Sequence, residues 1–169
     1  MAATLRTIKA EPLTREGFES FGDVIEAVAS HQESMNSTRF ERFQDLANVD
    51  VGATDGGRPA LSIARCRIAT RFPHDVTMLE RHALGSQAFV PLSDFRFIVV
   101  VAPSGSLDSN SEIAAFISNG RQGVNYHKGT WHMPMVALEA DQEFLIVDRA
   151  GAGVNCEEQI LDEPLRVEI

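Results

Sequence analysis

Two short segments carry most of the side chains that could do chemistry. In Val76-Thr-Met-Leu-Glu-Arg-His-Ala-Leu84 a carboxylate and an imidazole, Glu80 and His82, stand two residues apart. Read as a strand, this run turns successive side chains to opposite faces, so Val76, Met78, Glu80, His82 and Leu84 share one. Glu80 and His82 then lie among apolar neighbours, where a carboxylate is costly unless it is paired or stands beside a cation. The second segment, Gln122-Gly-Val-Asn-Tyr-His-Lys-Gly-Thr-Trp-His-Met-Pro-Met135, gathers two of the five histidines together with the single tryptophan and the single tyrosine. Its strand reading over 130–138 puts Thr130, His132, Pro134, Val136 and Leu138 on one face.

A single imidazole among apolar residues is more often a satisfied core residue than a ligand, and Glu80 and His82 could simply pair with each other. Two strands that each send ionisable groups into one interior favour a site. With Gln87 just beyond the first strand, the set Glu80, His82, Gln87 and His132 offers oxygen and nitrogen ligands suited to a divalent transition metal. Its imidazoles also titrate near neutral pH, as a general base or acid must. Gly123 and Gly129 allow close backbone approach around the second segment. Trp131 alternates outward and can pack against another surface, such as a second subunit, with structural packing its leading role. His127 and Lys128 fall at the turn near the barrel mouth, where turn hydrogen bonding is the leading role for His127.

The elements that must hold these residues read mainly as β. Runs at 61–68, 76–84, 95–102, 130–138 and 143–149 are short, alternating or densely apolar, and bounded by turn residues. Thr14 can cap a short helix over 14–21 that Gly22 stops. Ser109-Asn-Ser-Glu112 has capping-box spacing and predicts a second helix over 113–118. Residues 29–59 read as loops or edge strands. No internal repeat is visible, so the expectation is one antiparallel β-barrel or sandwich domain over 1–169 with small outer helices.

Composition narrows the function classes. The chain has 169 residues, 44% of them hydrophobic, and a formal net charge of −9. That length suits one domain with a real core. Nothing supplies the basic stripe that nucleic-acid phosphates or an anionic membrane demand. The start, MAATLRTIKAEPLTRE, shows no apolar secretory region, and the apolar run 97–103 is far below a membrane-spanning length. Cys66 and Cys156 lack CxxC spacing and read as reduced structural thiols of a cytoplasmic protein.

Met78-Leu-Glu-Arg-His-Ala-Leu-Gly-Ser-Gln-Ala-Phe-Val-Pro91, followed by Asn119-Gly-Arg-Gln-Gly-Val-Asn-Tyr-His-Lys-Gly-Thr-Trp-His132, resembles the bacterial ureidoglycolate lyase family. Phe21-Gly-Asp-Val-Ile-Glu26, Arg42-Phe43 before Asp45-Leu-Ala47, and Phe144-Leu-Ile-Val-Asp-Arg149 extend the resemblance along nearly the whole chain. It implies a cupin-like β-barrel, a homodimer, and a lyase that cleaves (S)-ureidoglycolate to glyoxylate and urea in allantoin degradation. Glu80 and His82 then occupy paired-ligand positions, Gln87 stands where many cupins have a glutamate, and His132 is the second-motif histidine. Nickel or manganese suits this mixed nitrogen and oxygen set, at an affinity that the neutral Gln87 lowers, so a purified sample could lack it. Catalysis falls to Glu80, His82, His132 and Lys128, and substrate binding to Arg42, Gln87, His127 and Lys128.

Two departures bear on the site. The family has His-Arg-Gly-Val-Trp-His-His-Pro where this chain has His127-Lys-Gly-Thr-Trp-His-Met-Pro134, so Lys128 keeps a charge but loses a planar fork. Met133 replaces a histidine on the face opposite His132. The segment Met35-Asn-Ser-Thr-Arg-Phe-Glu-Arg42 lacks the glycine usual after its asparagine. Two other readings stay open: a different small-molecule enzyme on the same barrel, and a metabolite-binding module without catalysis.

Overall fold

The computed structural model describes residues 5–169 and is built from two facing β-sheets and a separate hairpin. The first half supplies β1 (Arg6–Lys9), β2 (Glu11–Pro12), helix α1 (Arg15–Phe18), β3 (Gly22–Ile25), β4 (Gln32–Met35), β5 (Phe40–Phe43), β6 (Arg58–Arg65) and β7 (His74–His82). The second supplies β8 (Gln87–Pro91), β9 (Ile98–Ala102), β10 (Ala114–Ile117), β11 (Gly123–Tyr126), β12 (Trp131–His132), β13 (Glu143–Ala150) and β14 (Cys156–Glu168).

The seven-stranded sheet runs β1-β14-β7-β12-β9-β10-β2 and the five-stranded sheet β3-β11-β8-β13-β6. The pairings are antiparallel except β1 with β14 and β2 with β10, which are parallel. Between the sheets lies one core, with Val99, Val101 and Phe116 from the larger sheet meeting Val24, Phe89, Val124 and Phe144 from the smaller. A second core covers the outer face of the larger sheet, where Ile98, Val100, Leu79 and Trp131 pack under Leu107 and Ile113. The result is an all-β, nearly closed, cupin-like barrel. No helix of the described residues is long and apolar enough to cross a membrane.

Several expectations need correction. The helix expected over 113–118 is strand β10, pairing with β9. Its side chains alternate between cores, Ala115 joining the outer one and Phe116 the inner, and that period-2 pattern outweighs the capping signal. Ser109–Glu112 belongs instead to a turn in which Asp108 accepts from the Asn110 N–H at 2.8 Å and Ser111 Oγ accepts from the Asp108 N–H at 2.9 Å. Thr14 does cap α1, its hydroxyl accepting from Gly17 N–H at 3.1 Å, but the helix ends at Phe18. The strand expected over 130–138 is reduced to Trp131–His132.

Trp131 does pack structurally, but within its own chain and not on an open surface. It is 4% exposed in the outer core, donates from Nε1 to the Gly105 carbonyl at 2.9 Å, and has the Arg81 guanidinium over its ring at 4.6 Å. The outer face of β12 is roofed by the chain around Gly105–Leu107, so pointing outward does not mean reaching solvent. Val76 also departs from the face of Glu80. It joins Leu79 in the outer core, because the pairing of β7 with β14 shifts between Ile160 and Leu165 and breaks the alternation.

Candidate functional site

The barrel interior brings Glu80 and His82 of β7 to His132 of β12. Register places His132 directly opposite Glu80 and next to Val101, whose side chain faces the inner core. The tight turn before β12 depends on Gly129, at φ +82°, whose N–H donates to the His82 carbonyl at 2.9 Å. Gly123 is required on β11, since a Cβ there would lie 2.7 Å from the Phe89 carbonyl oxygen.

One ligand atom from each of Glu80, His82 and His132 lies within 4.8 Å of the others. His132 is 1% exposed, and its Nδ1 stands 3.0 Å from the Thr130 carbonyl, which can only accept. The hydrogen is therefore on Nδ1, and Nε2 faces Glu80 Oε1 at 3.5 Å. Two lone pairs at that separation require a proton or a cation between them. Tyr126 stacks on His132 with centroids 4.2 Å apart and planes 11° apart, and His82 also stacks on His132, at 5.3 Å and 27°. Such stacking contributes roughly 0.5–1.5 kcal/mol beyond burial and fixes the imidazole planes.

The electrostatics follow from this packing. A proton shared with the His132 imidazole holds Glu80 below the usual carboxylate range, against an opposing push from burial. Burial, reinforced by His132, holds His82 below the ordinary imidazole value and keeps it neutral. Burial pushes the Tyr126 hydroxyl far up, so it stays protonated. Burial and the Glu80 charge also raise the Cys156 thiol, whose Sγ is 3.9 Å from Glu80 Oε2.

Gln87 lines the same cleft as Glu80, a cavity of about 340 Å³ bounded by Phe89, Met135, Phe144 and Arg67. Its Nε2 donates to Asp148 Oδ2 at 3.3 Å. Its Oε1, His82 Nε2 and His132 Nε2 are all buried without a hydrogen-bond partner. Three buried acceptors beside a carboxylate form a donor set that fits a divalent cation. Glu80 also belongs to a second, more exposed group with Cys156 and Glu158 on β14.

The other expected site residues lie elsewhere in the chain. His127 Nε2 is 3.1 Å from Asp23 Oδ1, on the outer side of the five-stranded sheet, apart from the Glu80 cluster. Burial raises Asp23, but the Asn125 amide, the Asn48 N–H and His127 together hold it below the usual range. Lys128 is exposed on the same turn, and Arg42 is exposed on the β4–β5 hairpin. Tyr126, Asp148, Cys156 and Arg67 were not expected at the site. Asp148 was within reach of the same parity argument, since Phe144, Ile146 and Asp148 alternate on β13 toward the interior.

Comparison with known proteins follows the same lines. A family profile described as ureidoglycolate lyase matches residues 5–168. A protein of Burkholderia mallei (strain NCTC 10229) named ureidoglycolate lyase is 53% identical over 161 residues, covering 95% of this chain and 93% of its own. Proteins of the same name from Pseudomonas fluorescens (strain Pf0-1) and Pseudomonas syringae pv. tomato are 46% and 45% identical over 163 residues. They cover 96% of this chain and 96% and 95% of their own.

Proposed function

The chain belongs to the ureidoglycolate lyase family, and from that premise we propose that it cleaves (S)-ureidoglycolate to glyoxylate and urea in allantoin degradation. The observation that carries the reading is the meeting of Glu80, His82 and His132 in the barrel interior, with unpartnered acceptor atoms turned toward one another. The family match over 5–168 supports reading 1–169 as one domain.

The reaction breaks the bond between the carbinol carbon and the ureido nitrogen. The hydroxyl loses its proton, its oxygen forms the glyoxylate carbonyl, and the C–N electron pair leaves with nitrogen, which takes up a proton to give urea. No water is consumed. Where its unpartnered Nε2 carries no metal, neutral His82 takes the hydroxyl proton and returns it to the departing nitrogen. His132 is fixed by its Nδ1–H bond to Thr130 and by its stacking on Tyr126, and it holds Glu80 in place as a carboxylate. Gln87, anchored by Asp148, presents Oε1 to the substrate's donors.

Glu80, His82, Gln87 and His132 would hold a divalent metal, nickel or manganese, which when bound supplies Lewis acidity toward the substrate hydroxyl and carboxylate. For the substrate carboxylate our first choice is Lys128, on the turn whose Gly129 touches His82, with Arg42 as the second cation. The free thiols Cys66 and Cys156 accord with a reducing cytoplasm, and the family resemblance supports a homodimer.

The test is glyoxylate release by wild type, His132→Ala and chelator-treated enzyme. His132→Ala should abolish turnover with its fold intact. Full activity in that variant would contradict the site assignment. Full activity after chelation would remove the metal and leave His82 and His132 as direct acid and base.

A further inference from the structure

The β4–β5 hairpin has no support of its own. Its two strands pair only with each other, and residues 32–42 are exposed throughout. Register sets Met35 opposite Phe40 and Glu33 opposite Arg42, so all four share one face. Phe40 is 60% exposed and Met35 42%. An isolated two-stranded hairpin is marginally stable in water. The tip adds strain, since Asn36, Ser37 and Thr38 all have positive φ, at 53°, 55° and 69°. Left-handed conformations of non-glycine residues cost on the order of 1 kcal/mol each and persist only where surrounding structure imposes them.

The arm's root faces away from its own cleft. It leaves the body after β3, one edge of the five-stranded sheet, and returns at Asn48, whose carbonyl accepts from Asn125 Nδ2 on that sheet's outer face. The cleft opens on the inner face beside β6, the opposite edge. Four strand spacings, roughly 19 Å, separate the two edges. No residue of 29–43 lines the cleft.

A second copy of the chain supplies what the arm lacks. Ile68, which lines the cleft, is 87% exposed, and Leu61 on neighbouring β6 is 72% exposed, so the rim offers an apolar seat for Met35 and Phe40. The interior beyond it holds the carboxylates of Glu80 and Asp148, complementary in charge to Arg42, which has no ion-pair partner among the described residues. We propose that in a dimer each chain's β4–β5 arm lies across the other's cleft, with Met35 and Phe40 covering its apolar rim and Arg42 joining Lys128 at the substrate carboxylate. Two-fold symmetry makes the exchange reciprocal. The carboxylate contact rests on the lyase reading above.

The test is complementation between differently tagged chains. Arg42→Ala and His132→Ala should each be inactive or nearly so alone. A mixed dimer pairs an intact cleft on the Arg42→Ala chain with an intact arm from the His132→Ala chain. An equal mixture should therefore recover about a quarter of wild-type turnover, since half the dimers are mixed and each has one complete site. Recovery supports exchange. No recovery, with mixed dimers verified by their tags, overturns it, as does full activity of Arg42→Ala alone. Glu80→Gln replaces His132→Ala if the latter does not fold. Should the wild type release no urea, the lyase reading fails, and the arm is judged by mass. Dimeric wild type with monomeric Phe40→Asp supports the exchange, and an unchanged mass overturns it.

Discussion

His82 is the residue whose titration carries the most information. Burial and His132 hold it below the ordinary value of 6.5, so the neutral form persists into mildly acid solution. The acid limb of kcat/KM should therefore fall at a pH below 6.5; a limb at or above 6.5 would remove His82 as the base. The same depression fixes the sign of its stability effect. The unfolded chain takes up the proton first, so the contribution is whole above about pH 6.5 and is lost as pH falls through the folded value. Glu80, held down chiefly by a proton shared with His132, adds a second loss below about pH 4.5. His82→Gln should thus flatten the decline of Tm just below pH 6.5, and an unaltered slope would count against it. At the binding end, Lys128→Ala should lower kcat/KM by about 10–100-fold through KM, the loss of one charge-assisted hydrogen bond. An unchanged KM would leave the carboxylate to Arg42. Glu80, His82 and His132 were legible because strand alternation puts rare ionisable groups on an inward face. Tyr126 and Asp148 were not, because their roles depend on which strands of the opposite sheet face that interior.

At the scale of elements, local patterns succeeded where one sheet face meets one environment and failed where both faces are covered. The alternation of β7 correctly paired Glu80 with His82 but misplaced Val76, since the shift against β14 lies in a partner strand far along the chain. Trp131 shows the same limit. Outward on β12 means into a second core, which the segment containing Gly105 and Leu107 creates. Trp131→Ala should therefore cost about 3–5 kcal/mol of stability, read by denaturant unfolding, with the native mass unchanged. A small cost with a loss of dimer would restore the subunit-contact role. The capping motif before β10 misled because capping residues also build turns, and Asp108 uses its carboxylate there to hold Asn110.

For the whole molecule, the β class and the convergence of two motif strands were open to sequence reasoning, because apolar alternation recurs along the chain and the turns are marked by glycine and proline. The order of strands in each sheet, the two parallel pairings and the unsupported hairpin were not, since they arise from contacts between distant segments. Chemistry is similarly divided. The interior cluster offers groups for proton transfer or for holding a cation, and family membership names the substrate. These meet in the nitrogen product. Purified protein incubated with (S)-ureidoglycolate should release urea and glyoxylate in equal amounts, with no ammonia as a primary product, because the C–N bond at the carbinol carbon breaks without water. Ammonia released in place of urea would mean hydrolysis at the ureido carbonyl, and would contradict lyase chemistry at the Glu80–His82–His132 site.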